Sequence, residues 1–203
     1  PKIKKDWIER ILIVDGGSTD GTIEEAKRMG FELIQQKYPG YGGAILTGVE
    51  YTNSENIMLF SPDGNHDVAD IPKLIKKIEE GFDQVVVTRF GKTSINLDAG
   101  FVDTFGNKMF VFLVNILFGG HWSDTLTGHR IITRKAMLEI SLSDLGMDST
   151  QQMSIRGLKK NQKITEIEGN EWERVGGQRK MRPLNTGAAL SIQIIKEFIF
   201  WKF

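Results

Sequence analysis

The sequence contains no cysteine, and its 26 basic residues balance its 26 acidic residues, so the formal net charge is zero. The first absence excludes disulfides, thiolate zinc sites and cysteine nucleophiles. The second removes any global attraction to nucleic acid, so we predict no nucleic-acid partner, and any anion site must be built locally. Long apolar runs are also missing. The longest, Met109 to Phe118, is interrupted by Asn115 and is shorter than the roughly 20 residues that cross a bilayer.

What is present is the composition of one globular domain, with 203 residues of which 40% are apolar and 26% charged. In the first ninety residues or so, short apolar segments alternate with helical patterns, and the apolar segments end in polar residues. This predicts strands at 10–14, 31–35, 57–60 and 84–88, and helices at 22–29, 41–51 and 71–80. We therefore predict an α/β fold with a mostly parallel central sheet flanked by helices, which binds ligands at the carboxyl ends of its strands.

Two glycine-rich segments each lead into a predicted helix. In Asp15-Gly-Gly-Ser-Thr-Asp-Gly-Thr, Asp15 can accept hydrogen bonds from a base or ribose, and Gly17 lets the backbone approach a ligand. In Lys37-Tyr-Pro-Gly-Tyr-Gly-Gly-Ala, Lys37 and backbone amides such as that of Gly42 suit phosphate oxygens. A purely structural turn is the alternative for both segments, and for the second segment alone it is the better one.

The segment Ser61-Pro-Asp-Gly-Asn-His-Asp follows the third predicted strand. Asp63 and Asn65 can offer two oxygens to one cation, and Mg²⁺ or Mn²⁺ suits such ligands and can bridge a diphosphate. A turn stabilised by the Asp and Asn side chains is the alternative. The segment therefore predicts a divalent-metal site that competes with a structural interpretation.

Two later segments place charged residues among small ones. In Trp122-Ser-Asp-Thr-Leu-Thr-Gly-His-Arg, Asp124 is a candidate general base or acceptor-orienting group, and Arg130 lies close by. A capping Asp and a surface Arg explain that segment better when it is taken alone. A basic loop follows later and suits a diphosphate or a lipid phosphate, with a solvated loop as the alternative; its cations are Arg174, Arg179, Lys180 and Arg182.

Two apolar segments suit a membrane surface. Residues 103–118 are rich in Phe, and the C-terminal segment mixes Ile, Phe and Trp with lysines. Burial in the core is the alternative for both. We predict a catalytic domain over residues 1–183 and an amphipathic helix over 184–203 that lies on a membrane.

Taken together, these segments resemble the family-2 glycosyltransferases, which have the GT-A fold. The branch that they resemble contains the dolichyl-phosphate mannose synthases and the polyprenyl-phosphate glycosyltransferases. Six segments carry the resemblance in order: Val14-Asp-Gly-Gly-Ser-Thr-Asp-Gly-Thr, Gly40-Tyr-Gly-Gly-Ala, Ser61-Pro-Asp-Gly-Asn-His-Asp, Thr88-Arg89, Ser123-Asp-Thr-Leu-Thr-Gly-His-Arg and Arg174-Val-Gly-Gly-Gln-Arg-Lys.

The resemblance implies transfer of a hexose from a UDP- or GDP-linked sugar to a polyprenyl or dolichyl phosphate, with inversion, at the cytoplasmic face of a membrane. It also implies Mg²⁺ or Mn²⁺ as cofactor. The implied roles are nucleotide contact for Asp15, metal contact for Asp63 and Asn65, acceptor-phosphate contact for Arg89 and Arg130, acceptor orientation for Asp124, and closure over the phosphates for Arg174 and Lys180.

The sequence departs from the family pattern at several places. Ser61 replaces the first acid of the Asp-x-Asp motif, and Gln151 or Gln152 stands where Glu is usual. We also expect the family's opening strand to be absent, because the sequence begins just before the second. A soluble or polysaccharide acceptor, a non-catalytic glycosyltransferase-like module and a nucleotidyltransferase remain alternatives.

Overall fold

The computed structural model describes residues 3–97, 100–175 and 183–200, except for the side chains of 101, 102 and 183–185. The first half alternates strands and helices: β1 Leu12–Asp15, α1 Thr22–Arg28, β2 Glu32–Gln35, α2 Gly40–Tyr51, β3 Asn56–Leu59, α3 Ile71–Glu79 and β4 Gln84–Thr88. The second half is mostly helical: α4 Phe101–Phe118, β5 Arg130–Thr133, α5 Arg134–Glu139, α6 Ser149–Lys159, β6 Ile164–Glu168 and α7 Pro183–Ile199. The predicted elements are therefore present, with ends that shift by one or two residues.

The strands form a parallel pair, β1 with β2, and a four-stranded sheet in the order β3-β5-β4-β6. In the larger sheet β5 is antiparallel to both of its neighbours, whereas β6 is parallel to β4. It follows that β3, β4 and β6 run in one direction, and their carboxyl ends meet at one edge. The predicted α/β fold is confirmed, with β5 as the reversed strand among those that the structure describes.

Strand β4 lies inside the larger sheet, and its burial accounts for the continuous apolar run that predicted it. Its residues are buried, since β5 and β6 flank it and helices cover its faces, and Val85 and Val86 are completely inaccessible. One apolar cluster joins β4 to α3 through Leu74, and another joins it to α4, α6 and α7. Packing of apolar side chains on both faces favours a continuous β-branched run over an alternating one.

Helix α7 is more deeply embedded than its predicted place at the membrane surface suggests. Leu190 and Ile194 are buried in the cluster that contains Phe110 and Val114 of α4. Glu197 is also buried and pairs with Arg156 of α6 at 2.7 Å. The helix begins at Pro183, one residue before the predicted boundary. Its buried side chains pack in the same core as those of α4 and α6. None of the helices that the structure describes combines the length and apolarity needed to cross a membrane.

Candidate active site

The loop after β3 places the two predicted metal ligands side by side. The amide of Asn65 donates to Asp63 Oδ1 at 3.4 Å, and Gly64 between them has a φ of 83°, which favours glycine. Residues after β6 hold this loop from outside, since Trp172 N donates to Asn65 O at 2.8 Å and Val175 N to Asp63 O at 3.0 Å. The loop is thus built by backbone bonds between segments more than 100 residues apart.

Two stacked histidines support the same loop. His66 and His129 stack with ring centroids 4.4 Å apart, and Phe60 meets both rings edge-on. His66 Nδ1 accepts from the backbone amide of Ser61 at 3.1 Å, so this nitrogen is engaged inside the loop. Burial lowers the pKa of His66 to about 3 and that of His129 to about 2, so both rings are neutral near pH 7.

Arg89 follows β4 and pairs with two carboxylates. Its Nε and Nη2 donate to Asp124 at 2.6 and 3.1 Å, and its Nη1 donates to Glu171 Oε2 at 3.2 Å. Burial lowers the pKa of Arg89, but Asp124 and Glu171 more than offset it, and the net pKa is raised. The structure therefore brings Arg89 and Asp124 together and directs the guanidinium at carboxylates, and acceptor-phosphate contact by Arg89 stays a prediction.

The turn that carries Asp124 is held by Glu166 of β6. Glu166 accepts from the amides of Ser123 and Asp124 at 2.8 and 3.0 Å and from the Ser123 hydroxyl at 2.9 Å. Burial raises the pKa of Glu166, although the hydrogen bonds from Ser123 act against it. Asp124 is itself fully buried, and its Oδ1 also accepts from Leu126 N at 3.0 Å. These bonds fix the position of a carboxylate at the strand ends.

Arg130 does not occupy the predicted position at the acceptor phosphate. It lies in β5 with no exposed surface, and its guanidinium donates to Gln84 Oε1 and to the Thr127 carbonyl, each at 2.8 Å. Burial lowers its pKa to about 10. Its charge is enclosed by the protein, and its position fits a structural role in linking β5 to β4.

The first glycine-rich loop uses its acid internally. Asp15 accepts from the amides of Gly17 and Ser18, both at 2.8 Å, and from the Ser18 hydroxyl at 2.6 Å. These bonds lower the pKa of Asp15, that from the Ser18 hydroxyl most. Gly17 has a φ of 98°. The structural turn weighed from the sequence is therefore present, and nucleotide contact by Asp15 and Gly17 stays a prediction.

The second glycine-rich loop does not present the predicted phosphate site. Gly42 N donates to the Leu145 carbonyl at 2.9 Å, and a side chain at position 42 would collide with the backbone of Asp144. Lys37 Nζ pairs with Glu50 at 2.9 Å and lies over the ring of Tyr38. The glycines allow α2 to approach the 144–146 segment closely, so the structural alternative explains Gly42 and Lys37.

The basic loop is described in part. Arg174 lies 3.5 Å from Asp63 as an ion pair, which brings the predicted diphosphate-closing residue to the predicted metal ligand. Lys180, Arg179 and Arg182 lie outside the described residues. The described cluster of Asp63, Asp124, Glu171, Arg89 and Arg174 carries three negative and two positive formal charges.

The residues after β3 fit a divalent cation. Asn65 is buried, and its Oδ1 has no hydrogen-bond partner among the described residues. Asp63 beside it keeps its carboxylate partly exposed. No group of three His, Asp or Glu side chains that could hold a metal occurs within the described residues. Two protein oxygens therefore suit Mg²⁺ or Mn²⁺ if substrate oxygens and water supply the other ligands.

Known proteins resemble this chain in both sequence and fold. The family model for glycosyl transferase family 2 matches residues 8–141. The glycosyltransferase AglJ of Haloferax volcanii is 26% identical over 195 residues, with 95% of this chain and 64% of AglJ covered. A dolichyl-phosphate hexose transferase of the same organism is 28% identical over 191 residues, with 94% and 82% covered. The chain thus spans slightly less than two thirds of AglJ.

A solved structure shows the same architecture. Glucosyl-3-phosphoglycerate synthase from Mycobacterium tuberculosis, in complex with Mn²⁺, UDP and glucosyl-3-phosphoglycerate, has a TM-score of 0.70 at 20% identity, with 94% of this chain and 67% of that chain covered. The same enzyme with Mg²⁺ and UDP also has a TM-score of 0.70. The α/β architecture is that of the GT-A fold. The chain belongs to glycosyl transferase family 2.

Sequence reasoning missed two acidic residues of this site. Glu166 lies in β6 and Glu171 three residues beyond its end, and both face residues from distant segments. The rule that ligands bind at the carboxyl ends of strands could have flagged Glu171, because it lies three residues past the end of β6. Its partners Asn65 and Arg89 lie 106 and 82 positions away, so no local pattern reports them.

Proposed function

We propose that this protein transfers a hexose from a UDP- or GDP-linked sugar to a polyprenyl or dolichyl phosphate, with Mg²⁺ or Mn²⁺ at Asp63 and Asn65. The observation that carries the proposal is the unpartnered Oδ1 of Asn65, a residue whose backbone amide donates to Asp63 Oδ1 in the loop after β3. Glu171 links this loop to Arg89 and, through it, to Asp124. Both the Mn²⁺–UDP complex of the M. tuberculosis enzyme and the dolichyl-phosphate hexose transferase of H. volcanii support it.

The residues divide the work by charge. A cation held by Asp63 and Asn65 would supply positive charge to the departing nucleoside diphosphate. Arg174 forms an ion pair with Asp63 at 3.5 Å and could exchange this carboxylate for the diphosphate of the donor. The cluster of Asp63, Asp124, Glu171, Arg89 and Arg174 has a net negative charge, which favours binding of a cation. An acceptor phosphate is already a nucleophile near neutral pH, so it needs placement more than deprotonation. Asp124 is fully buried, so it acts through Arg89, whose partly exposed guanidinium it holds at 2.6 Å in position for the acceptor phosphate.

Two exposed apolar stripes support a lipid acceptor. On α4 the outward residues recur at helical spacing, and on α7 a similar row faces away from the buried Leu190 and Ile194. The exposed members are Phe105, Met109, Phe112, Ile116, Ile192, Ile195, Phe198 and Ile199. Phe118 and Phe198 meet edge-on with centroids 6.2 Å apart, so the two helices are neighbours at these ends. We propose that this face lies on the surface of a membrane, peripherally.

The donor and metal assignments are tested with an isosteric pair of variants. Asp63→Asn should weaken Mn²⁺ binding about tenfold or more, because metal ligands and their supports carry effects of that size. Asp67→Asn is the control, since that carboxylate caps Ala69 N at 2.9 Å in the same loop. Binding is measured by electron paramagnetic resonance with and without UDP. Equal affinity for the wild type and Asp63→Asn would remove the metal assignment.

The acceptor is tested with labelled UDP- and GDP-sugars, a polyprenyl phosphate in one arm and phosphoglyceric acid in the other. A labelled glycolipid is the expected product. Product with phosphoglyceric acid alone would show that the acceptor is soluble and would contradict the lipid acceptor. If no product formed with any donor, the proposed enzymatic activity would be wrong.

The membrane claim needs point variants, because deletion of α7 would expose the core around Leu190 and Ile194. Ile192→Gln with Ile195→Gln should reduce flotation with anionic liposomes, since both side chains are more than half exposed. Leu138→Gln is the matched control, as Leu138 is similarly exposed on α5. Equal flotation of all three proteins would refute the membrane-facing surface.

A further inference from the structure

Glu171 is a buried carboxylate outside the six segments that carry the family resemblance. It is 5% exposed, and its backbone is held on both sides, since Glu171 N donates to Ile95 O and Leu97 N donates to Glu171 O, each at 2.9 Å. Isolated bridges also join its backbone to His66 and Asn96. The position of its Cα is therefore determined by two neighbouring segments, and its side chain reaches inward from a fixed point.

The Glu171 carboxylate joins the two halves of the candidate site. Its Oε1 accepts from Asn65 Nδ2 at 3.1 Å, and its Oε2 accepts from Arg89 Nη1 at 3.2 Å. The same Arg89 side chain donates a further hydrogen bond from its Nε to Asp124 at 2.6 Å. A continuous hydrogen-bonded path thus runs from the amide of Asn65, the candidate metal ligand, to the carboxylate of Asp124.

The polarity of this path determines how Asn65 is oriented. A carboxylate paired with a guanidinium accepts hydrogen bonds and donates none, so the Asn65 NH₂ must face Glu171. The Asn65 carbonyl oxygen then faces the other way, where it is buried without a hydrogen-bond partner in the described part of the chain. Buried carbonyl groups of this kind are costly unless a ligand completes them, and a cation beside Asp63 would do so.

We infer that Glu171 is a positioning residue that orients the Asn65 amide toward a divalent cation and, through Arg89, ties that orientation to the placement of Asp124. The inference rests on the proposed function, since it needs the cation at Asp63 and Asn65. It adds a residue whose effect on the cation requires no direct contact with it, as is typical of partners that orient metal ligands.

The inference is tested by exchanging the amide of Asn65 and the carboxylate of Glu171. Glu171→Gln offers an NH₂ to Asn65 and allows the Asn65 amide to turn over, so Mn²⁺ affinity should fall about tenfold or more. Asn65→Asp replaces an amide ligand with a carboxylate, so it serves as a separate reference for the added charge. In that background Glu171→Gln should raise Mn²⁺ affinity about threefold or more, because the Gln NH₂ donates to the new carboxylate and restores one donor and one acceptor with exchanged roles.

Glu168→Gln is the control. Glu168 lies three residues before Glu171, is exposed, and accepts from the amides of Lys92 and Thr93 at 2.9 and 3.0 Å. Mn²⁺ binding to the full chain is measured by electron paramagnetic resonance, and thermal unfolding is followed alongside. A gain of affinity when Glu171→Gln is added to Asn65→Asp also answers the objection that Glu171→Gln only damages folding, because a merely destabilising substitution would lower affinity in both backgrounds.

The outcomes separate this inference from the function on which it rests. A wild type that binds Mn²⁺ while Glu171→Gln binds equally well overturns the role of Glu171 alone. A double variant that binds no better than Asn65→Asp alone also overturns it, as does an equal loss in Glu168→Gln. A wild type that binds no Mn²⁺, with or without UDP, overturns both this inference and the metal part of the proposed function.

Discussion

The stacked pair of His66 and His129 predicts that this protein loses stability in mild acid. Both rings are neutral in the folded state because burial lowers their pKa values to about 3 and about 2. In the unfolded chain each ring has a pKa near 6.5, so between pH 6.5 and pH 3 the unfolded state binds more protons. The contribution of these two rings to the free energy of unfolding must therefore fall as the pH is lowered through this window.

The magnitude depends mainly on the unfolded chain, because both folded pKa values lie well below 5. From pH 7 to pH 5, one histidine with an unfolded pKa of about 6.5 and no protonation in the folded state contributes about 2 kcal/mol. The two rings together contribute about 4 kcal/mol, a large share of the 5–15 kcal/mol that is typical of a domain.

His129→Phe is the perturbation that isolates one of these contributions. Phe keeps an aromatic ring against His66 and Phe60, and His129 Nε2 has no hydrogen-bond partner among the described residues. Urea unfolding at pH 5, 6 and 7 should show that the loss between pH 7 and pH 5 is about 2 kcal/mol smaller in the variant. His121→Gln is the comparison, since it removes the exposed third histidine. A His129→Phe protein with the same pH dependence as the wild type would refute the buried neutral ring.

The elements that were predicted best from the sequence are those marked by a short, continuous run of apolar residues. The run Gln84–Thr88 is apolar at its centre and ends in Arg89, and the structure gives it the predicted bounds. The reversed insertion of β5 between β3 and β4 is a different matter. Its pairing joins Asn56 to Thr133 and Gln84 to Ile132, and such distant register leaves no trace in a short window.

The same distinction separates the site residues. The sequence grouped Asp63 with Asn65, and the resemblance implied acceptor roles for Arg89 and, separately, for Asp124. In the structure Asn65 N donates to Asp63, and Arg89 donates to Asp124. The resemblance also assigned Arg130 to the acceptor phosphate. In the structure Arg130 is buried, and its guanidinium donates to Gln84, which lies 46 positions away in the sequence. Residue types report which chemistry is available, whereas only the folded chain shows which polar groups are already satisfied by one another.

The two remaining predictions concern packing behind the site. Gly128→Ala should destabilise by about 1–3 kcal/mol, because a Cβ there would collide with the Tyr41 hydroxyl, and adding Tyr41→Phe should recover most of the loss in thermal unfolding. Glu197→Gln should cost about 3 kcal/mol or more, because it leaves the nearly buried Arg156 and Lys159 facing an amide instead of the carboxylate that lies 2.7 and 3.6 Å from them. The exposed pair of Lys135 and Glu139 provides the contrast, since Glu139→Gln should change the free energy of unfolding by less than about 1 kcal/mol. Burial also shields the Glu197 pairs from salt, so the difference between the two variants should persist at about 0.5 M NaCl. Similar urea midpoints for the two variants would show that α7 is held by its apolar face alone, and the buried charges beneath it would then have no measurable part in docking the helix.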